Sequence, residues 1–251
     1  SNYHSHCSFC DGRSMPEEFV KFALAKSFRA YGISSHGPLP FETFWNMSAF
    51  DMPEYLVEIS RLKDKYQGHL EIYTGMEIDY LDTTYNPSIP YFQSLPLDYR
   101  IGSVHFLPIA TELCEANMVC IDGPFSEFKQ AVDTYFEGDI RKMVKRYYES
   151  SIRMVELGGI DIVGHLDKIY MNGQRCKDFS FTAPWYRNMV NEYLEVIAGK
   201  GMIVEINTKN LLKKQQTFPR QEYLSRMREL QIPVMVNSDC HTPDLVNDGR
   251  Q

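Results

Sequence analysis

The chain has 251 residues and a mass of 29.2 kDa, enough for one large α/β domain with a substantial core. Its net charge of −7 and isoelectric point of about 5.5 argue against a basic surface for extended nucleic acid. No apolar run approaches the ~20 residues that span a bilayer, and the polar start is unlike a signal peptide, so we predict a cytoplasmic protein without a membrane partner.

Short apolar runs rich in β-forming residues alternate with longer helical patterns along the chain. The predicted strands are Asn2–His6, Ala30–Ser35, Leu70–Glu77, Tyr99–His105, Ile160–His165, Met202–Asn207 and Pro233–Ser238. The predicted helices are Pro16–Ser27, Glu54–Tyr66, Arg141–Leu157, Pro184–Ala198 and Arg220–Leu230. This alternation indicates a parallel sheet, and about seven units predict a closed or nearly closed barrel in a single domain over residues 1–251.

Two segments interrupt the alternation. Pro87–Pro96 is rich in proline, and Leu107–Pro124 is long and carries two cysteines, so either is a candidate loop over the mouth of an active site. A chain of this size needs no disulfides, and we predict reduced thiols. The spacing of Cys7 and Cys10 also allows a redox pair, which remains an alternative.

Histidines mark the ends of the predicted strands. Six of the seven stand at or just after a strand's C-terminal end: His4, His6, His36, His105, His165 and His241. In a parallel barrel those ends gather on the face where active sites are built. A single histidine there is more often an ordinary hydrogen-bonded residue, but packing gives no reason to crowd buried imidazoles together. We therefore interpret the set as metal ligands.

Spacing strengthens the metal hypothesis. Residues two apart in a strand point the same way, so His4 and His6 share a face, as do Asp239 and His241. The first and last strands of a closed barrel are neighbours, which brings these two pairs together. Glu77 ends the third predicted strand and could bridge two ions with its two oxygens. Imidazole and carboxylate ligands suit Zn²⁺, Fe²⁺ or Mn²⁺.

These residues lie in motifs that follow one another over nearly the whole chain: YHSHCSFCDG, GISSH, GMEIDY, IGSVHF, GHLDKIYM, VEINTKN and NSDCHTP. In these motifs the sequence resembles the PHP (polymerase and histidinol phosphatase) superfamily, and within it the histidinol-phosphate phosphatases. The resemblance implies a distorted (βα)7 TIM-like barrel with two to three divalent transition-metal ions at the C-terminal face of the strands.

The resemblance also implies which residues hold each ion. The ligands of the first ion would be His4, His6, Glu77 and Asp239. Glu77 would bridge to a second ion, completed by His105 and His165, while His36 and His241 would hold a third. The family usually supplies one more histidine to the third ion, at the position that reads Gly12 here. We predict that the adjacent Asp11 replaces it.

The implied reaction is hydrolysis of a small phosphate monoester, by resemblance L-histidinol phosphate to L-histidinol and phosphate. Paired ions generate hydroxide near neutral pH and clamp the phosphoryl oxygens. Glu77 and Asp239 are the predicted catalytic carboxylates, with Asp239 or a metal-bound water as general acid. Asp167 is predicted to orient an imidazole.

Four residues are candidates for substrate binding. Glu42 could pair with the amine and Trp45 could stack on the imidazole ring of the substrate, while Arg175 and Lys209 could bind the phosphate. Each could equally serve packing or a solvated surface. The alternative function is a PHP-type phosphoesterase acting on nucleotides or short oligonucleotides, because pocket loops, not the fold, decide the substrate. A metal-storage or regulatory module without turnover is a weaker alternative.

Overall fold

The structure, a computed structural model, describes residues 1–250. Six parallel strands form one curled sheet in the order β1-β2-β3-β6-β7-β8. They are β1 (Ala30–Ile33), β2 (Glu71–Asp79), β3 (Tyr99–Ser103), β6 (Ile162–Val163), β7 (Ile203–Asn207) and β8 (Val234–Asn237). The predicted parallel sheet is therefore confirmed. Within the described range, none of the helices combines the length and hydrophobicity needed to cross a membrane.

The first residues of the chain close the sheet between its two edge strands. Asn2 forms a parallel bridge to Tyr31 of β1, and Ser5 forms one to Cys240 just beyond β8. The amide of His6 donates to the carbonyl of Cys240 at 2.9 Å. Residues 2–6 are thus extended and paired on both sides, although only as isolated bridges. Together with the six strands they complete the predicted distorted (βα)7 TIM-like barrel.

Helices cover the outside of the barrel. They are α1 (Pro16–Ala25), α2 (Met52–Lys65), α3 (Pro90–Gln93), α4 (Phe125–Tyr135), α5 (Ile140–Leu157), α6 (Tyr170–Gly173), α7 (Pro184–Lys200), α8 (Leu211–Lys214) and α9 (Leu224–Glu229). Proline stands in the first turn of α1, α2 and α7, where its missing N–H has no intrahelical partner anyway. Gly201 ends α7 with φ of 66°, a left-handed conformation that favours glycine.

A hairpin replaces the long loop that the sequence predicts over 107–124. Strands β4 (Phe106–Pro108) and β5 (Met118–Cys120) pair antiparallel, with Phe106 opposite Cys120. Leu107 and Val119 are buried in the same core cluster as Phe128 of α4. The segment is therefore held in place by packing, and α4, which was not among the predicted helices, supplies part of the surface that it packs against.

Two large apolar clusters flank the sheet and fix the strands. One includes Phe19 of α1 and Tyr55 and Leu62 of α2, while the other lies under α4, α5 and α7. The hydroxyl of Tyr55 donates to the carbonyl of Ile33 at 2.8 Å and is 2.7 Å from that of Gly75, so it joins β1 to β2. The buried ionisable groups concentrate instead at the C-terminal ends of the strands, where the candidate site lies.

Candidate metal centre

The predicted ligands converge at one end of the barrel, around the carboxylate of Glu77. This residue is 1% exposed and lies near the end of β2. Its Oε2 atom lies 3.2 Å from His4 Nε2, 3.5 Å from His6 Nε2 and 3.0 Å from His36 Nδ1. Three imidazoles that come from two different segments therefore face one oxygen.

The other oxygen of Glu77 faces a second group. Oε1 lies 2.8 Å from His165 Nε2 and 3.6 Å from His105 Nε2, and it accepts a hydrogen bond of 2.6 Å from the hydroxyl of Ser103. The two oxygens of one carboxylate are thus divided between two sets of histidines. This is the arrangement expected of a ligand that bridges two ions.

Asp239 completes the first group from the far end of the chain. Its Oδ1 atom lies 3.2 Å from His6 Nε2 and 3.1 Å from Lys209 Nζ. Burial would raise the pKa of this carboxyl, but Lys209, His4 and His6 lower it well below its usual value. An ionised Asp239 suits a ligand or a proton acceptor.

A third group includes the predicted replacement ligand. Asp11 Oδ2 lies 3.3 Å from His241 Nε2, and its Oδ1 lies 3.9 Å from His36 Nε2. One ligand atom from each of His6, Asp11, His36 and His241 lies within 4.8 Å of the others. A β-carbon on Gly12 would stand 2.2 Å from the carbonyl oxygen of His6. Only glycine fits at position 12. The side chain that faces the site from this turn is that of Asp11.

Unpaired buried atoms show that these residues fit metal ions. His4 Nε2, His6 Nε2, His36 Nδ1 and Glu77 Oε2 are buried and have no hydrogen-bond partner. Leaving so many polar atoms unsatisfied is costly unless a cation occupies the space between them. Burial, together with the neighbouring rings of His36 and His241, holds the pKa of His6 well below its usual value, so the ring stays neutral as a ligand must.

Acidic residues behind the histidines orient their rings. His4 Nδ1 donates to Glu205 Oε1 at 2.6 Å, and His105 Nδ1 donates to Asp79 Oδ1 at 2.9 Å. Each contact leaves the Nε2 atom free to bind an ion. Burial alone would lower the pKa of His4, but Glu205, Glu77 and Asp239 raise it well above its usual value, a field that favours a cation at this place.

Glu205 and Asp79 are not among the site residues predicted from the sequence, although a signal for both is present. Each is a charged residue in an apolar strand and lies two positions from another polar residue of the site, Asn207 and Glu77 respectively. The period of a strand puts such pairs on one face. Asp167, to which the sequence assigns this role, instead accepts from the backbone amide of Arg220 at 3.0 Å, and its other oxygen has no partner.

A cavity of about 320 Å³ lies above the candidate metal centre. Trp45 and Phe106 line one side, with their rings stacked at an angle of 17°. Three acidic residues, from the β4–β5 hairpin, the loop after it and the start of α4, also line the cavity: Glu115, Asp122 and Glu127. The hairpin segment therefore does stand at the mouth of the site, whereas no residue of the proline-rich segment 87–96 lines this cavity.

The structure divides the four predicted substrate-binding residues into two pairs. Trp45 and Lys209 line the cavity. Glu42 is exposed and is not part of the lining, and the guanidinium of Arg175 stacks 3.9 Å from the ring of Phe125, also outside the lining. Those two residues lie on loops, and sequence spacing does not fix the direction of a loop side chain.

A lysine that is not among the predicted site residues faces the cavity instead. Lys168 is 6% exposed and lines the cavity, with Nζ 3.4 Å from Asp122 Oδ2. Burial lowers the pKa of this amine, but Asp122, Asp239 and Glu77 outweigh it and raise the pKa above its usual value. The amine is therefore a buried positive charge beside the predicted metal ligands. A lysine three residues after His165, inside an apolar loop, is the signal that could have identified it.

The chain is similar in sequence to a curated histidinol-phosphatase and in fold to a solved structure. The chain is 28% identical over 258 residues to the histidinol-phosphatase of Bacillus subtilis (strain 168). The alignment covers 95% of this chain and 92% of the relative. The structure of a histidinol phosphatase homologue from Listeria monocytogenes matches with a TM-score of 0.85 at 23% identity, covering 99% of this chain and 97% of that one.

A second solved structure, histidinol phosphate phosphatase from Lactococcus lactis complexed with zinc, L-histidinol and phosphate, matches with a TM-score of 0.74 at 23% identity. It covers 96% of this chain and 86% of the other. At these identities the two structures establish the fold. The family model described as "PHP domain" matches residues 2–209, and with that match over most of its length the chain belongs to the PHP domain family.

Proposed function

We propose that the protein hydrolyses small phosphate monoesters with the help of two to three divalent transition-metal ions, and that its substrate is L-histidinol phosphate. The observation that carries the proposal is the carboxylate of Glu77, which is shared between two groups of imidazoles on the floor of a cavity. The name of the Bacillus subtilis relative and the ligands of the Lactococcus lactis structure support the choice of substrate.

Each group of residues would hold one ion. His4, His6 and Asp239 would hold the first, His105 and His165 the second, and Glu77 would join the two. The third would lie among Asp11, His36 and His241. When bound, such ions supply an activated water and neutralise the charge of the phosphoryl group.

Two lysines would add positive charge around the phosphate. Lys168 and Lys209 both line the cavity beside the ligands. A buried ammonium group binds a phosphate oxygen more strongly than an exposed one, because less water competes for the charge. Lys209 also pairs with Asp239 and so holds that carboxylate ionised next to His6.

The remainder of the cavity suits an amine that carries an imidazole. Trp45 and Phe106 offer flat apolar faces against which a heteroaromatic ring can stack. Glu115, Asp122 and Glu127 put negative charge on the wall of the cavity. Such a wall attracts an ammonium group and repels the additional phosphates of a nucleotide or an oligonucleotide.

An assay of purified, metal-loaded protein against histidinol phosphate, p-nitrophenyl phosphate and short oligonucleotides tests the proposal. We expect a strong kinetic preference for histidinol phosphate and at least two transition-metal ions per chain by elemental analysis. Equal, slow rates on all three substrates would refute the substrate assignment. Fewer than two ions in active protein would refute the proposed metal centre.

A further inference from the structure

Glu205 occupies a special place behind the candidate metal centre. It is fully buried in β7, and four hydrogen bonds reach its carboxylate. Oε1 accepts from His4 Nδ1 at 2.6 Å and from Asn237 Nδ2 at 3.1 Å. Oε2 accepts from the backbone amide of His165 at 3.0 Å and from Asn207 Nδ2 at 3.1 Å. One side chain therefore joins β7 and β8 to the segments that carry His4 and His165.

Every partner of Glu205 is a hydrogen-bond donor. Two are side-chain amides, one is a backbone amide, and the fourth is an imidazole N–H. Only an ionised carboxylate can accept from all of them, since an amide side chain would set its own N–H groups against two of these donors. The position thus requires the charge of Glu205 as well as its shape.

These contacts reach ligands of two different metal positions. His4 belongs to the first position and His165 to the second. Asn207, which donates to Glu205, also donates to Asp239 Oδ2 at 3.0 Å, and Asp239 belongs to the first position. A displacement of this one carboxylate would therefore move ligands of both ions together.

We propose that Glu205 is a positioning residue that couples the first metal position to the second. The inference rests on the proposed metal centre and adds to it a physical link between the two affinities. Glu205 binds the ring of His4 and the backbone amide of His165 with one carboxylate. It thereby fixes the positions of the two ligand sets relative to each other and to Glu77.

Asp79 provides a matched comparison because it serves one metal position only. Its Oδ1 accepts from the backbone amide of His105 at 2.9 Å and from His105 Nδ1 at 2.9 Å. Like Glu205, it is buried and lies behind a histidine ligand. Unlike Glu205, its side-chain contacts at the site are confined to this one residue.

The test compares Glu205→Gln with Asp79→Asn. Zinc binding to metal-free protein is measured by competition with a chromophoric chelator, which resolves the affinity of each position. For Asp79→Asn we expect one dissociation constant to rise about 10–100-fold, which identifies the second position. For Glu205→Gln we expect the constants of both positions to rise by a similar factor.

A loss at one position only, or at neither, in Glu205→Gln would overturn the coupling. Wild-type protein that binds fewer than two zinc ions would instead overturn the proposed metal centre, so the two failures are distinguishable. Folding of the metal-free variants is checked by circular dichroism. If Glu205→Gln does not fold, Glu205→Asp replaces it, because this side chain keeps the charge but is one methylene too short to reach both His4 and His165.

Discussion

Glu77 is shared by both groups of imidazoles, and its replacement by glutamine tests the bridging role. The amide retains the size of the side chain but loses the charge and one acceptor. We expect Glu77→Gln to lower the metal content and to reduce turnover by more than about 100-fold, since even residues behind a ligand contribute 10–100-fold. Elemental analysis and a phosphatase assay measure the two effects. Glu71→Gln, at the exposed start of the same strand, is the control, and unchanged turnover in Glu77→Gln would exclude a bridge.

Asp11 belongs only to the third group of predicted ligands. We expect Asp11→Asn to abolish binding of the third ion and to leave the other two in place, because a neutral amide is a much weaker ligand than a carboxylate. Metal content per chain after gel filtration is the measurement. Asp244→Asn, an exposed change three residues after His241, serves as the control. Loss of all ions in Asp11→Asn would contradict a third ion position that is independent of the first two.

Lys168 and Arg175 are a pair of cations that differ in their access to the cavity. We expect Lys168→Met to lower kcat/KM for the phosphate ester about 10–100-fold, the equivalent of one hydrogen bond to a charged group. Arg175→Gln should leave kcat/KM unchanged, because its guanidinium rests on Phe125. Steady-state kinetics on both variants decide the matter. Equal effects of the two changes would exclude a direct contact between Lys168 and phosphate.

The sequence predicts the ligands better than their surroundings, for a physical reason. A predicted ligand such as His105 follows the C-terminal end of a strand, and the barrel itself directs strand ends to one face. The direction of Glu42 or Arg175, in contrast, depends on loop conformations that spacing does not encode. To predict the role of Glu205, the period of its strand has to be combined with knowledge of which strands are neighbours in the sheet.

A cluster of ion pairs joins α1 to α2 and makes their packing sensitive to pH. The carboxylate of Glu17 accepts from Lys65, from Arg61 at 2.6 Å and from the hydroxyl of Tyr66 at 3.0 Å. The hydrogen bonds from Lys65 and Arg61 lower the pKa of Glu17 to about 2. A lowered pKa means that the stabilisation is present above the usual value of 4.5 and is lost as the pH falls toward about 2.

We therefore expect Glu17→Gln to lower the free energy of unfolding by less than about 1 kcal/mol at neutral pH, since the pairs are near the surface and screened by water. The difference from wild type should shrink at pH 3 and in high salt. Urea unfolding of metal-free protein measures it. Glu18→Gln, whose partner Lys21 lies in the same helix, is the control. A difference that grows at acidic pH would contradict this account.

The sequence predicts the strands and helices of the barrel alternation, but it misses the β4–β5 hairpin, α4 and the four-residue helices α3, α6 and α8. Helices α5 and α7 and the six parallel strands have continuous apolar patterns, which local composition reveals. Strands β4 and β5 have three residues each, and their pairing depends on packing against α4. Residues 2–6, predicted as a strand, are held only by isolated bridges, from Asn2 to the nearby Tyr31 and from Ser5 to Cys240 at the far end of the chain.

The proposed metal centre draws on predicted ligands from both ends of the chain, so metal removal should weaken the barrel as a unit. His4 and His6 come from the closing segment, while Asp239 and His241 follow β8. An ion at 100 times its dissociation constant stabilises the folded state by about 2.7 kcal/mol. We expect chelation to lower the melting temperature and added zinc to restore it. The same chelator saturated with zinc is the control, and an unchanged melting temperature on chelation would contradict the idea.

The carbonyl of His6 stands where any side chain on residue 12 would begin. Histidine at this position is therefore incompatible with the present backbone, because the turn from Cys7 to Gly12 would have to be rerouted first.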